Sequence, residues 1–134
     1  MNFRLVIFLG ALLAAMGVAS GAIGAHLLEK RVAEGTIAQK QLEQYETAVR
    51  YQIYHALGLL LIGALAQARP SRWLTAAAVT MILGCLLFCG GLYAFVAVMA
   101  MQLPYRQVVH VVPFGGVLFI VSWVLLAIGS LQKR

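Results

Sequence analysis

The side chains in this sequence best suited to chemistry are imidazole, phenol and amide groups, and three of them fall together. Tyr51 and His55 stand four residues apart, and Gln52 and His55 three apart. On a helix, residues so spaced share a face. His26, Tyr93, His110 and Trp123 are the other polar groups within apolar stretches. Imidazole can ligate a metal, so His26, Tyr51, Gln52, His55, Tyr93 and His110 form a candidate cluster for a haem, metal or quinone. The plainer role for such groups is a set of satisfied hydrogen bonds between helices, and the sequence favours it.

The groups that are missing narrow the field further. Asp is absent, and no Glu, Lys or Arg falls inside the long apolar runs. Proton-coupled carriers and ion pumps place such charges at mid-membrane. A Ser-His-Asp hydrolase site cannot be assembled, and no G-x-x-x-x-G-K-[ST] phosphate loop is present. Cys85 and Cys89 lie at i, i+4 spacing in an apolar run, where a regular helix gives poor disulfide geometry. Without further ligands they read as small packing residues. No catalytic residue, metal site or cofactor is expected, and the chain reads as a non-enzyme.

These residues must be positioned by elements that the composition identifies. The chain has 134 residues, 63% hydrophobic and only 10% charged, whereas soluble domains carry about 25% charged residues. A soluble fold this small could not hide so much apolar surface; a bilayer can solvate it. The net charge of +6 does not indicate nucleic-acid binding, because the Lys and Arg residues sit in small groups between apolar runs.

Charges divide the sequence into four uncharged runs: Leu5 to Leu28, Tyr51 to Ala68, Trp73 to Tyr105 and Gln107 to Gln132. Since about 20 apolar residues span a bilayer, each run holds one helix. The expected helices are 5–28, 51–68, 73–101 and 107–131, with Pro104 and Tyr105 in a turn. Met1 to Arg4 and Val18-Ala19-Ser20 resemble parts of a cleavable signal. The apolar stretch continues past that point, so an uncleaved helix is expected.

The only substantial connection contains all four acidic residues. In it Ala38, Leu42, Tyr45 and Val49 recur with helical period among polar residues. This predicts an amphipathic interfacial helix at about 36–50 that bends into the second span. The fold class is therefore an all-α membrane protein. It is a single domain over 1–134, a four-transmembrane-helix up-down bundle with an interfacial helix between helices 1 and 2. No internal repeat supports an inverted-repeat transporter.

With four spans both termini share a side. Arg4, Arg69, Arg72, Lys133 and Arg134 lie there, against Lys30, Arg31, Lys40, Arg50 and Arg106 opposite. The acid-free groups at Arg4 and Arg69/Arg72 favour cytoplasmic termini. In an antiparallel bundle the ends carrying His26, Tyr51 to His55, Tyr93 and His110 then share one leaflet, with Gln52 and His55 expected to point inward. Gly17, Gly21, Gly24, Gly115 and Gly116 are the expected sites of close helix approach. Gly17-x-x-x-Gly21 is a small-x-x-x-small pair whose members should exclude larger side chains.

Four motifs complete the reading. They are Gly21-Ala22-Ile23-Gly24-Ala25-His26, Tyr51-Gln52-x-x-His55-Ala56-Leu57, Leu87-Phe88-Cys89-Gly90-Gly91-Leu92-Tyr93 and Pro113-Phe114-Gly115-Gly116. Together they resemble the YgdD/YwdK-like small bacterial inner-membrane proteins, a domain-of-unknown-function family (family 423). The family typically shows Phe-Ser-Gly-Ser-Leu-Tyr in the third motif. Cys89 and Gly91 stand here in place of the serines, so a role that needs those hydroxyls does not carry over. The resemblance implies an inner-membrane location and this fold, and no known reaction.

The expected function is a non-enzymatic accessory or assembly component of a membrane complex. The alternatives are a small channel or carrier for a neutral or weakly basic solute, and a haem- or quinone-binding electron-transfer component. The expected partners are the lipid bilayer and, beyond it, a larger membrane protein complex or a second copy of the chain.

Overall fold

The computed structural model describes residues 2–101 and 106–131, the side chains of 106–109 excepted. The expected turn at Pro104 and Tyr105, and the side chains of Arg106, Lys133 and Arg134, lie outside the described residues. Four helices account for nearly all of the rest: α1 (Phe3–Ala33), α2 (Gln39–Ala68), α3 (Arg72–Ala100) and α4 (Arg106–Leu131). All four are long and apolar enough to cross a membrane.

Local chemistry sets the helix ends. The Asn2 side chain accepts from the Arg4 backbone N–H at 3.1 Å, and Ser71 accepts from that of Trp73 at 3.2 Å. These are N-caps that satisfy otherwise orphaned donors. At the start of α2, Gln41 reaches back to accept from the Ala38 N–H at 2.6 Å. The chain leaves α1 through Gly35, whose φ of 72° is the left-handed conformation that glycine supplies at helix C-termini. The Gly35 and Thr36 N–H groups then bond back to the carbonyls of Val32 and Arg31, each at 2.9 Å.

The amphipathic stretch expected over 36–50 is helical from Gln39, but it is not a separate interfacial element. It forms the first turns of α2, which runs unbroken to Ala68. The physical reason lies in α1, which continues beyond its apolar run to Ala33 and so offers a protein surface. Leu42 and Val49 are buried, the Tyr45 ring lies against Gly24 and Val49 against Gly21. The apolar stripe therefore faces α1 rather than the membrane plane. At 1.5 Å per residue α2 is about 45 Å long, against about 30 Å for the hydrocarbon core.

Sequential helices are antiparallel neighbours. α1 packs chiefly on α2, α2 on α3, and α3 on α4, whereas α2 and α4 meet only slightly. The main core joins Val6 of α1, Leu59 and Ile62 of α2, Leu74, Ala77 and Met81 of α3 and Leu126 of α4. Ser122 of α4, fully buried, donates to the Ala77 carbonyl of α3 at 2.8 Å. Outward faces carry Phe8, Leu12, Phe114 and Ile120 exposed, where lipid tails solvate them at no hydrophobic cost.

Glycine seams set the helix spacing. A Cβ at Gly10 would lie 2.9 Å from the Ala56 carbonyl oxygen, and one at Gly17 2.7 Å from Ile53. At Gly21 it would meet only Val49 at 3.5 Å, an ordinary contact. The tight partner of Gly17 along α1 is thus Gly10, two turns earlier, and not Gly21. On the other seam Gly84 faces the Phe119 ring, and Gly115 abuts the backbone of Phe88, whereas a Cβ at Gly116 would sit 3.7 Å from the Phe88 ring.

Candidate functional site

A chain of polar contacts ties three helices together on one side of the bundle. The Gln52 amide of α2 donates from Nε2 to the Leu13 carbonyl of α1 at 2.8 Å, and its Oε1 accepts from the Tyr93 hydroxyl of α3 at 2.8 Å. The rings of Tyr93 and Tyr45 meet edge to face, centroids 5.1 Å apart. The Tyr45 hydroxyl donates to the Ser20 carbonyl of α1 at 3.0 Å. Gln52 is buried, so each bond replaces one that water cannot make there.

Two helical distortions flank this chain. Over Gly24–Leu28 and Cys85–Cys89 the backbone widens to i→i+5 hydrogen bonding, a rare geometry that is enriched at functional sites. The first lies beside the Tyr45 ring, which would stand 3.2 Å from a Cβ at Gly24. The second carries Cys85 and Cys89 as free, buried thiols packed with Phe119 near Leu13 and Tyr93. Between α1 and α3 a cavity of about 280 Å³ opens over these groups, lined by Leu9, Met16, Gln52, Cys85, Cys89 and Tyr93 among others.

His55 serves the other side of α2. Its Nδ1 lies 2.6 Å from the Tyr51 carbonyl. A carbonyl only accepts, so Nδ1 carries the proton and Nε2 the lone pair. The imidazole is buried and stacks on Phe119 of α4, ring centroids 3.4 Å apart and planes within 13°. Tyr51 is half-exposed, its ring 4.8 Å from that of Phe88 on α3.

The structure therefore brings Gln52 and Tyr93 into direct contact, whereas Tyr51 and His55 of α2 turn to Phe88 and Phe119. His26 and His110 are exposed, and neither takes part in the hydrogen bonds of this group. Gln52 bonds both neighbouring helices, whereas His55 bonds its own backbone and reaches α4 by stacking. Among the described residues, no three His, Cys, Asp or Glu side chains converge as a metal site.

Sequence reasoning placed Tyr45 in the amphipathic stripe but not in the polar cluster, and it did not single out Phe119 or the carbonyls of Leu13 and Ser20. A signal for Tyr45 was present, since it precedes Gln52 by two helical turns and so shares its face. Nothing in the sequence marks which backbone carbonyls a side chain from another helix will find.

The polar chain yields a graded expectation. Gln52→Leu should lower stability by about 1–2 kcal/mol, because it removes bonds to two helices, and Tyr93→Phe by about 0.6 kcal/mol. In the Gln52→Leu background Tyr93→Phe should cost almost nothing. Thermal unfolding of the four proteins of this cycle in mild detergent measures the coupling, and strict additivity would show that the bond contributes nothing.

A family profile described as "Protein of unknown function (DUF423)" matches residues 20–116. The chain is 39% identical over 129 residues to a UPF0382 membrane protein of Staphylococcus epidermidis, covering 96% of this chain and 97% of that one. It is 35% identical over 130 residues to UPF0382 membrane protein YwdK of Bacillus subtilis, covering 96% and 98%. It is 32% identical over 134 residues to UPF0382 inner membrane protein YgdD of Escherichia coli, covering 100% and 95%. No solved structure matches the chain.

Proposed function

We propose, from the premise that the chain belongs to the DUF423 family of proteins of unknown function, that it is a non-enzymatic accessory component of a larger membrane complex. The observation that carries this reading is how the polar groups of the spans are employed. Gln52, Tyr93, Tyr45 and Ser122 all bond within the bundle. The axis at Leu59, Ile62, Ala77, Ala78 and Met81 is fully packed. A carrier needs a polar path with groups free to hold a solute, and a hydrolytic enzyme needs a displayed nucleophile and base. Apart from Nε2 of His55, the surface left for recognition is apolar and lipid-facing, the kind on which another helix docks through shape.

Photo-crosslinking side chains placed at Phe8 and Phe114, both exposed, in native membranes test this. The reading expects one discrete adduct with the same protein at stoichiometric yield, at ordinary expression levels. Adducts with lipid alone, or solute flux by the purified protein in proteoliposomes, would overturn it.

The same reading places both termini in the cytoplasm. Phe3 of α1 lies beside Gly63 of α2, and Trp73 of α3 beside Gly129 of α4, so the cations Arg4, Arg69 and Arg72 gather at one end of the bundle. Arg and Lys near short loops are retained on the cytoplasmic side. Glu34, exposed at the opposite end, should then face outward. A Glu34→Cys protein in intact cells should react with an impermeant maleimide. Labelling only after the cells are opened would reverse the orientation.

A further inference from the structure

A second opening lies between α2 and α4, where these helices barely meet. Its volume is about 590 Å³, within the range of roughly 300–1,000 Å³ for small-molecule sites. Its walls are rings: Tyr51, Tyr54 and His55 from α2, Phe88 from α3, Phe119 and Trp123 from α4. The Phe88 ring lies 4.8 Å from that of Tyr51 and 5.6 Å from that of Phe119, and the Trp123 ring 6.0 Å from His55. Tyr54, Ile120 and Trp123 at the lip are exposed, so the cleft opens sideways toward lipid. Gly116 also borders it, and the missing side chain there leaves room in front of Phe88.

One polar atom in this apolar setting is unused. His55 is only 4% exposed, and Nδ1–H is committed to the Tyr51 carbonyl. Among the described residues Nε2 has no hydrogen-bond partner. No fully buried side-chain nitrogen or oxygen among the described residues lacks a hydrogen bond, so Nε2 is reached from the cleft. It presents a lone pair, which accepts and cannot donate. A buried acceptor held in one tautomer and surrounded by π faces selects a flat ring that carries a hydroxyl.

We propose that this cleft binds the head group of a lipid-soluble hydroquinone. Its ring stacks among Tyr51, Phe88, Phe119 and Trp123, and one hydroxyl donates to Nε2 of His55. The oxidised quinone offers only carbonyl acceptors, which face the Nε2 lone pair unfavourably, so the reduced form is preferred. A bare acyl chain would fill the space but leave Nε2 unpaired. The bilayer supplies the ligand through the lateral mouth, and the site is independent of the docking role argued above.

The test uses Trp123 emission of the Trp73→Phe protein in lipid nanodiscs, titrated with tetramethylhydroquinone and with its dimethyl ether. Concentrations are expressed as mole fraction in the bilayer. The hydroquinone should quench saturably, and the ether, lacking a donor, should bind about tenfold more weakly, the value of one good hydrogen bond. Gly116→Leu should abolish saturable quenching, and His55→Phe should bring the hydroquinone down to the affinity of the ether. Equal affinity of the two ligands, undiminished quenching in Gly116→Leu, or equal displacement by a long-chain alcohol would overturn the proposal. So would a Soret band in the protein as purified, which would assign His55 to haem iron. The comparison of the two ligands needs no substitution at the site, so misfolding of a cleft variant cannot mask the answer.

Discussion

Gly115→Val is expected to be the most damaging single substitution in this chain, at or above about 3 kcal/mol, the upper end of the usual overpacking cost. A Cβ at Gly115 would collide with the backbone nitrogen and Cα of Phe88 on α3. Backbone atoms cannot swing aside as a side-chain tip can, so α3 and α4 would have to separate as bodies. That separation would also pull Phe119 from Gly84, where the two helices interlock from the other direction. It would disturb the stacking of His55 on Phe119 as well. The neighbouring position is the control. At Gly116 a Cβ would meet only the edge of the Phe88 ring, at 3.7 Å, so Gly116→Val should stay folded. Thermal unfolding in mild detergent distinguishes them, and equal midpoints would refute the interlocked seam.

The second large effect is expected on the seam between α1 and α2. At Gly63 a Cβ would lie 2.5 Å from Ile7 Cγ1, 3.2 Å from the Ile7 nitrogen and 3.3 Å from the Phe3 carbonyl oxygen. At Gly10 it would lie 2.9 Å from the Ala56 oxygen and 3.1 Å from the Leu60 nitrogen. Gly63→Val and Gly10→Val should each cost about 1–3 kcal/mol. The consequence for α1 is greater than the figure implies, because α1 has little contact with any helix but α2. Loss of this seam should free α1 as a unit, visible as faster amide exchange across its span than in α3 or α4. Gly21→Ala, with a single contact at 3.5 Å, should be neutral or gain up to about 1 kcal/mol from helix propensity. A loss at Gly21 matching that at Gly10 would contradict the assigned seam.

The sequence by itself determined the membrane setting, the four helices and their alternating directions. Those features follow from quantities that are local along the chain: apolar runs long enough to span a bilayer, charges that bound them, and short connections at Gln67 to Arg72 and near Pro104. That Gln52 and His55 are both buried follows helical periodicity, which fixes angular position within one element, but they meet different neighbours, Gln52 helices α1 and α3 and His55 helix α4.

What joins one element to another was decided only in three dimensions. His26 and His110 belong to the same apolar runs as the other polar residues, yet both are exposed, because the rotation of each helix about its axis depends on which faces its neighbours fill. The stripe at Leu42, Tyr45 and Val49 carried the correct helical period, but whether it faced lipid or protein depended on how far α1 continued. Gly17 and Gly21 look equivalent in sequence and differ in the fold, because two antiparallel helices cross at an angle and draw closest only along part of their length. The two lateral clefts are wholly tertiary features. They exist because α1 meets α2 more than α3, and α4 meets α3 more than α2, and no residue's own preferences encode the gap left between helices that are not adjacent.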